Sequence, residues 1–497
     1  DGTYSYDYTD MKFPVLAFGT DVTNPGNFQL AEFRDRPSSV ENKFKTIALD
    51  LDWEPTSGLR LSGGPFYRQF DYFTQSARRD GQYCSAFTCA AGAYGAPVTG
   101  DLSELFELGD AGQPAGNTNS WVVPNLDAAV AFLDLYNIPA VTREGDVRSV
   151  EEKVTGGYFQ TDFEIDHGLR VTGNFGVRYA RTEQSSQGFN NGQYVTVERN
   201  YDDFLPALNL NVFPSDDVVL RGAIARVITR PTLGSLTPGG SVDEFNFVIS
   251  TGNPFIEPYR AWNYDLSAEW YFAPGAILSL AGFIKEIESF PVSRPLQITY
   301  AQSGLPTSLL TSGTPVYDAI VNGTDPNRQF EFRTTTNGEG ATIKGVELGL
   351  NLPFSAFASG ALANFGVLGN VTYVDSQQEI EFEDQIFETT FSGVSKYSAN
   401  GTVYYDDGRI SIRMSGAYRS GYNTGLSGNN NFLEGYTSSF NLDAAIRYKV
   451  TDSVELMLDG NNLTDDYRYR WTDDDARRNY ENNHFGRIIM AGVRFEY

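Results

Sequence analysis

The sequence is short of several things that would define other classes of protein. It has no apolar run of about 18 residues, so no segment is expected to cross a bilayer as a helix. Only two cysteines and two histidines occur in 497 residues, too few for a typical four-ligand zinc site. Basic residues are outnumbered 37 to 63 by acidic ones. No nucleic-acid partner is expected, because neutralising phosphates requires basic patches.

Glycine and aromatic residues are abundant, and their arrangement indicates β-strands. There are 49 glycines, and aromatics make up 14% of the chain, a mixture that favours sheets with tight turns. In "AWNYDLSAEWYF" at 261–272, every second residue from Trp262 to Phe272 is apolar, whereas Asn263 to Glu269 supply a polar face. Segments 169–179 and 440–448 alternate in the same way. A period of two is typical of strands with one apolar face.

About fifteen such segments occur, and their connections alternate between short turns and long loops. All the short turns are therefore expected at one end of an antiparallel sheet and all the long loops at the other. A soluble sandwich or propeller would also hide one apolar face, but aromatics at both ends of the stripe, as Trp262 and Phe272, are typical of a membrane barrel. We predict an all-β transmembrane antiparallel β-barrel with strands near 43–53, 59–70, 151–165, 169–183, 201–213, 218–228, 261–272, 276–289, 341–352, 365–376, 394–405, 409–419, 438–448, 454–462 and 487–497.

The last residues, "AGVRFEY", form an alternating pattern that reaches the final carboxylate. A barrel loses its free edge only when its last strand pairs with its first, so a complete terminal strand is expected here. The tail also resembles the C-terminal assembly signal of bacterial outer-membrane proteins, with Gly492, Phe495 and Tyr497 in the matching positions. Met490 departs from that signal, which has a polar residue there.

Several stretches resemble the TonB-dependent outer-membrane receptors, particularly a branch found in Caulobacter- and Xanthomonas-like bacteria. They are "GNFGVRYARTE" at 173–183, "LPALNLNVF" at 205–213, "ARVITRPTLGSLTPGG" at 225–240, "GNPFIEPYRAWNYDLSAEWYF" at 252–272, "IKGVELGLNLPF" at 343–354 and "DGNNLTDD" at 459–466. The resemblance implies a barrel of 22 strands plugged by an N-terminal domain, of which this chain carries about 15 strands.

The resemblance also implies a domain organisation. Residues 43–497 are expected to be the C-terminal part of the barrel, and residues 1–42 an extracellular loop region or the end of a preceding strand. Neither a plug nor an energy-coupling segment is recognisable in the sequence. An alternative makes "YSYDYT", with Tyr4, Tyr6 and Tyr8 on one face, a sixteenth strand that closes a porin-like barrel.

The function implied by the resemblance is active uptake across a Gram-negative outer membrane. TonB and its inner-membrane motor would act through the N-terminal part. The expected ligand is an oligosaccharide or glycan-derived molecule, with an iron chelate as the close alternative and a passive porin third. Outer-membrane lipid, the ligand and a surface lipoprotein are the expected partners. No cofactor and no catalysis are expected, because neither His167, in a short turn, nor His484, in a loop, can serve a lipase at the lipid face.

Candidate ligand-binding residues lie in the long loops. Exposed aromatic rings suit stacking on sugars or planar ligands, and arginines suit anionic or hydroxyl-rich groups. The alternative for each aromatic residue, which is the commoner role of such rings, is loop packing or a place in the aromatic girdle. Asp473 to Asp475 could hold calcium, but their spacing favours a solvated acidic loop, so no metal site is predicted. The candidates are Trp121, Tyr136, Arg230, Tyr300, Arg468, Arg470 and Trp471.

The loop 71–150 has two further features. Cys84 and Cys89, in "YCSAFTC", are predicted to form a local disulfide in an oxidising compartment, with two free thiols as the alternative. The stretch "NLDAAVAFLDLY" at 125–136 predicts a short helix, with Ala128, Ala131, Phe132 and Leu135 on one stripe.

Overall fold

The computed structural model describes residues 3–10, 14–30, 32–82, 96–109, 113–190, 193–305, 307–338, 340–382, 385–425 and 432–496. Fifteen antiparallel strands in consecutive order form its wall, and each overlaps a predicted segment. They are β1 (Ser38–Ala48, continued by Leu51–Thr56), β2 (Leu59–Gln82), β3 (Arg148–Asp166), β4 (Arg170–Asn190), β5 (Gln193–Ser215), β6 (Val218–Thr229), β7 (Tyr259–Ala273), β8 (Ala276–Ser289), β9 (Ala341–Pro353), β10 (Phe365–Phe382), β11 (Tyr397–Asp406), β12 (Ile410–Arg419), β13 (Ser439–Thr451), β14 (Val454–Asn461) and β15 (Ile488–Phe495). Strands β2, β4 and β5 extend further toward the long loops than predicted.

The wall is an open barrel in the part of the chain that the structure describes. β15 pairs with β14, β1 pairs with β2, and no pairing among these residues joins β15 to β1. Tyr4–Asp7 forms a separate hairpin with Val15–Phe18 and does not join the wall. The sixteenth-strand alternative is therefore wrong, because that segment is too short and pairs locally.

One face of the wall is apolar and exposed, as predicted. Leu266 is 69% exposed. Residues on the same face of β7 pair with apolar residues of β6 and β8, and those of β8 pair with apolar residues of β9. The apolar face therefore continues across these strands. The opposite face carries ion pairs: Arg221 donates to both carboxylate oxygens of Glu269, at 2.9 and 3.0 Å, and Arg447 pairs with Asp459 at 2.7 Å. None of the described helices is both long and apolar enough to span a membrane.

The short turns lie together at one end of the wall, because they join consecutive antiparallel strands. Gly58, between β1 and β2, has a φ of 81°, and a Cβ there would lie 2.8 Å from the carbonyl oxygen of Glu164. The β11–β12 turn is held by Asp407, whose carboxylate accepts hydrogen bonds from the backbone N–H groups of Arg409 (2.9 Å) and Ile410 (2.7 Å). These bonds hold the pKa of Asp407 below its usual value.

Replacing Asp407 with alanine is expected to lower the urea midpoint of unfolding slightly at neutral pH. A depressed pKa means that the carboxylate stabilises the turn above its unfolded value of 3.8 and loses this effect as the pH falls through the folded value. The difference between wild type and variant should therefore shrink in acid. Asp452→Ala, in the β13–β14 turn, is the control. A difference that persists unchanged in acid would contradict the role of the ionised carboxylate.

The long loops at the other end are folded structures. Residues 230–258 and 290–340, which we call the dome, combine a four-stranded sheet with helix α2 (Pro315–Ile320). Residues 420–438 and 462–487 contribute a second four-stranded sheet, the rim sheet. The dome strands are Gly240–Asp243, Val248–Thr251, Pro291–Thr299 and Gln329–Asn337, with 3₁₀ turns at Leu233–Leu236, Tyr300–Ser303 and Thr307–Leu309 and α2 at Pro315–Ile320; the rim sheet comprises Tyr422–Gly425, Glu434–Tyr436, Tyr467–Thr472 and Arg478–His484.

The remaining elements are short. The predicted loop helix is confirmed as α1 (Leu126–Phe132), which Asn125 caps by accepting a hydrogen bond from the N–H of Ala128. Its predicted face is only partly right, because Ala129 and Leu135 are buried whereas Phe132 is exposed. The other strands are Gln29–Leu30, Glu32–Asp35, Ala96–Pro97, Ser103–Glu107, Ser120–Pro124, Val141–Thr142 and Gln385–Thr389, and the other 3₁₀ turns are Pro25–Asn27, Gly100–Leu102, Leu135–Asn137, Glu144–Asp146, Phe354–Ala356 and Gly360–Asn364.

Candidate functional site

The long-loop ends of β3 to β7 enclose a cluster of buried charges. The Nε of Arg260 lies 2.7 Å from Oδ1 of Asp203, whose side chain is fully buried, and a second guanidinium nitrogen of Arg260 lies 3.0 Å from Glu257. Arg199 approaches Glu257 at 3.8 Å and donates to the carbonyl oxygen of Pro254 at 3.1 Å. The cluster thus joins β5 and β7 to the segment that leads out of the dome.

Arg230, a predicted site residue, belongs to the same cluster. It donates a hydrogen bond to Thr182 Oγ1 at 3.1 Å and lies 3.8 Å from the buried carboxylate of Glu152 on β3. Four buried polar atoms here have no hydrogen-bond partner in the described part of the chain: Glu152 Oε1, Gln184 Oε1, Asp203 Oδ2 and Arg230 Nε. Each such atom costs about 1–3 kcal/mol when left unsatisfied, so the cluster is suited to receiving water or polar ligand groups.

The dome is tied to the wall through Glu244. Its carboxylate accepts hydrogen bonds from the Thr311 N–H (2.6 Å), the Thr311 hydroxyl (2.8 Å) and the Thr314 hydroxyl (2.8 Å), and from Arg78 of β2 at 3.3 Å. Burial, with the nearby Glu244 charge second, raises the pKa of the Tyr300 hydroxyl well above its usual value. Tyr300 therefore stays neutral in the dome core.

The rim sheet presents arginines stacked on aromatic rings. The guanidinium carbon of Arg468 lies 4.2 Å from the ring centre of Tyr436, and that of Arg470 lies 4.8 Å from Tyr480. Arg470 is also hydrogen-bonded to the buried Glu434 and, at 3.5 Å, to Glu481. A hydrogen bond from Asn483 first, and the contact with Arg470 next, lower the pKa of Glu481, against the effect of desolvation. The sheet offers flat rings beside fixed charges.

The predicted aromatic residues differ in how available they are. Tyr136 is 68% exposed, with the guanidinium of Arg79 5.2 Å from its ring centre, and Trp121 packs against Phe106 at 4.9 Å. Tyr300 and Trp471 are only 3% and 6% exposed, so they pack in the dome core and in the rim sheet. Stacking of these two rings on a ligand, which remains a prediction, would require the loops to open.

The structure groups five of the seven predicted residues in two places. Arg468, Arg470 and Trp471 share one rim-sheet strand, and Trp121 and Tyr136 share the β2–β3 loop. Glu152 was not identified in the sequence analysis. The feature that could have identified it is its position as a charged residue between Val150 and Val154, on a face of β3 that is buried. Asp203, Glu244 and Arg260 were also not identified, because their partners are distant in sequence.

Some of the predicted residues lie outside the part of the chain that the structure describes. They are Cys84, Cys89 and Tyr497. Gly492 and the exposed Phe495 are on β15, and their role in an assembly signal stays a prediction. No group of His, Cys, Asp and Glu side chains that could hold a metal is found in the described part of the chain. Asp473 pairs with Arg478 at 3.4 Å, in keeping with a solvated loop.

Comparison with known families agrees with this architecture. The model of the family described as TonB dependent receptor-like, beta-barrel, matches residues 1–463. The chain belongs to the TonB-dependent receptor family. It is a protein of the outer membrane of Gram-negative bacteria. The narrower resemblance to the Caulobacter- and Xanthomonas-like branch stays a prediction.

Solved structures of receptors share this fold. The siderophore receptor PiuA from Acinetobacter baumannii is 16% identical, with a TM-score of 0.54 over 93% of this chain and 56% of its own. The ferric yersiniabactin uptake receptor FyuA from Yersinia pestis is 12% identical (TM-score 0.51, 94% and 56%), and the copper transporter OprC is 12% identical (TM-score 0.53, 93% and 58%). The receptor chain thus spans less than two thirds of these structures. No curated protein matches it.

Proposed function

We propose that this chain forms most of the barrel of a receptor that takes up a small ligand across the outer membrane by a TonB-dependent mechanism. The observation that carries the proposal is the buried polar cluster at the long-loop end, around Arg230 and Glu152, in a chain that belongs to a family of transporters. Binding followed by a conformational change accounts for this function without bond chemistry, so the protein is not an enzyme.

The proposed ligand is an oligosaccharide or glycan-derived molecule. Arg468 over Tyr436 and Arg470 over Tyr480 combine aromatic faces with hydrogen-bond donors and with the carboxylate of Glu481. Sugars present apolar ring faces and many hydroxyl groups, which this combination suits. A surface lipoprotein that assists capture belongs to the same hypothesis.

An iron chelate is the second candidate ligand. PiuA is a siderophore receptor and FyuA is a ferric yersiniabactin uptake receptor, and the arginines of the rim sheet would also attract an anionic chelate.

The proposed division of the chain follows from the direction of β1. Ser38 pairs with Ser76, at the long-loop end of β2, which supports an extracellular position for residues 1–42. Residues 43–497 are the C-terminal part of the barrel. Coupling to TonB and its inner-membrane motor would run through an N-terminal plug.

Binding and uptake by the complete receptor test the proposal. A panel of oligosaccharides and ferric chelates is titrated against the purified receptor, and uptake of the tightest binder is compared in cells with and without TonB. Saturable binding with TonB-dependent uptake is expected. TonB-independent, non-saturable flux would support the porin and overturn the proposal, and binding of chelates alone would replace the ligand class while leaving the uptake mechanism intact.

Replacing Arg468 with alanine is expected to weaken binding of the identified ligand by about tenfold, the loss typical of one partly desolvated cation–π or charged contact. Titration of wild type and variant measures the effect. Arg494→Ala is the control, because Arg494 forms only an exposed pair with Glu496 near the short-turn end, at 2.9 Å. Equal affinities for wild type and Arg468→Ala would remove the rim sheet from the binding site.

A further inference from the structure

A groove of about 610 Å³ lies on the wall between β6 and β10. Its side walls are formed by Tyr264, Leu266, Ile284, Val346 and Tyr373. These residues pair across neighbouring strands and so belong to one face of the sheet, and it is the exposed apolar face of the barrel. The groove therefore opens toward the membrane.

Glycine creates the groove. Leu266 pairs with Gly222 on one side and Gly282 on the other. A Cβ at Gly222 would meet no atom within 4 Å, and one at Gly282 would meet only the carbonyl oxygen of Gly345, at 3.8 Å. The space is thus open, and the two positions lack side chains without any steric need. Because the bilayer core contains no water, a depression in the lipid-facing surface is filled by an acyl chain.

One lysine, Lys344, lines the long-loop end of the groove, and a second, Lys396, lies beside the ring of Tyr373. Lys344, more than half exposed, pairs with Asp375 at 3.2 Å, and Lys396 Nζ lies 5.8 Å from the ring centre of Tyr373. Tyr373 in turn lies 5.3 Å from Tyr397. On this face the two cations meet one carboxylate, Asp375. Asp265 also lines the groove, but it lies between Tyr264 and Leu266 on β7, so its side chain belongs to the opposite face of the sheet.

The other charges nearby do not reverse this balance. Glu286 is two residues beyond Ile284 on the same face and pairs with Trp262, while Glu288 is neutralised by Arg226, whose nitrogen lies 2.8 Å away. Trp262 marks the row where the apolar stripe ends, and Lys344 lies in the row just inside it. An aromatic row of this kind sits at the headgroup level of a barrel. The lysines are therefore placed to meet lipid headgroups.

We propose that the groove is a binding site for an anionic, phosphate-bearing lipid of the outer leaflet. One acyl chain lies along Leu266 and Gly282, and the phosphate lies between Lys344 and Lys396. The volume falls within the range of about 300–1,000 Å³ that ligand pockets occupy. The proposal stands independently of the uptake function, because it involves neither the long loops nor TonB.

Native mass spectrometry of the complete receptor in detergent tests the site, with phosphatidylglycerol and the uncharged phosphatidylcholine as probes. Wild type is expected to keep one phosphatidylglycerol at concentrations where phosphatidylcholine dissociates. Lys344→Gln and Lys396→Gln should each weaken phosphatidylglycerol binding by about fivefold, the effect of one basic residue near a headgroup, and leave phosphatidylcholine binding unchanged.

Gly282→Leu should fill the groove and weaken binding of both lipids. The matched control is Gly401→Leu, because Gly401 lies on β11 outside the groove, and a Cβ there also meets no atom within 4 Å. Heat-dependent mobility on gels verifies that each variant is folded. If Gly282→Leu misfolds, the two lysine variants still decide the question. Equal retention by Gly282→Leu and Gly401→Leu, or no preference for the anionic lipid in wild type, would overturn the proposal.

Discussion

Replacing Phe330 with alanine is expected to unfold the dome while the barrel wall stays intact. Phe330 is fully buried, with Phe247 and Tyr300 at ring distances of 5.5 and 5.6 Å. Removing a buried phenylalanine costs about 3–5 kcal/mol. Leu236 and Ile256 of the dome pack on Val150 of β3, so the dome sheet and helix α2 depend on a separate apolar cluster that contains Phe330. Its buried members are Val242, Ile249, Tyr300, Leu305, Leu310, Val316 and Phe330.

Limited proteolysis and hydrogen exchange measure this effect. Protection should fall in residues 240–251 and 291–337 of the variant, whereas strands β11 to β15 keep theirs, because the wall is held by its own backbone pairing. Phe357→Ala is the control, since Phe357 is 67% exposed in the β9–β10 connection. Unchanged protection of the dome would show that its core does not hold these two loops together.

Ligand affinity should fall together with dome protection if the dome shapes the binding site. Glu244 links the dome to Arg78 on β2, and the segment leaving the dome carries Glu257 into the charged cluster. An unfolded dome would leave both contacts without a fixed geometry. Affinity that survives loss of dome protection would confine the binding site to the rim sheet and the wall.

The wall was predictable from sequence because its signal is local. Residues two apart share a face, so the stripe from Trp262 to Phe272 indicated a strand and its orientation without knowledge of any partner. Turn lengths then fixed the order of the strands. Closure of the barrel could not be predicted in this way, because no local pattern identifies the strand that would pair with the free edge of β15.

The loop structures were not predictable in this way. In the dome, Val248–Thr251 pairs in parallel with residues more than 80 positions later in the chain. No sequence pattern in either segment identifies the strand with which it pairs. The prediction of Tyr300 as an exposed ring is wrong for the same reason: in sequence it belongs to a long polar loop, whereas in the structure it is a core residue. Arg230 was identified from its place at a strand end, but its buried partners Glu152 and Thr182 come from strands far away in the chain.

Replacing Arg260 with alanine is expected to destabilise the receptor by about 3–5 kcal/mol, because it leaves a buried carboxylate without its partner. The Asp203 side chain is fully buried and that of Arg260 is 17% exposed. One oxygen of Asp203 already lacks a hydrogen-bond partner in the described structure, so losing Arg260 would remove its main compensation. Urea unfolding followed by tryptophan fluorescence measures the change in the free energy of unfolding.

Two further variants make this test specific. Arg60→Ala breaks an exposed pair with Asp52, whose side chains are 50% and 48% exposed, and should change the free energy of unfolding far less, because water screens an exposed pair. The double variant Arg260→Met with Asp203→Leu removes both charges and should regain most of the lost stability, since neither charge is then buried alone. If Arg260→Ala costs no more than Arg60→Ala, water reaches the cluster freely. Its unpaired atoms would then be hydrated, and the cluster would have no advantage as a site for polar ligand groups.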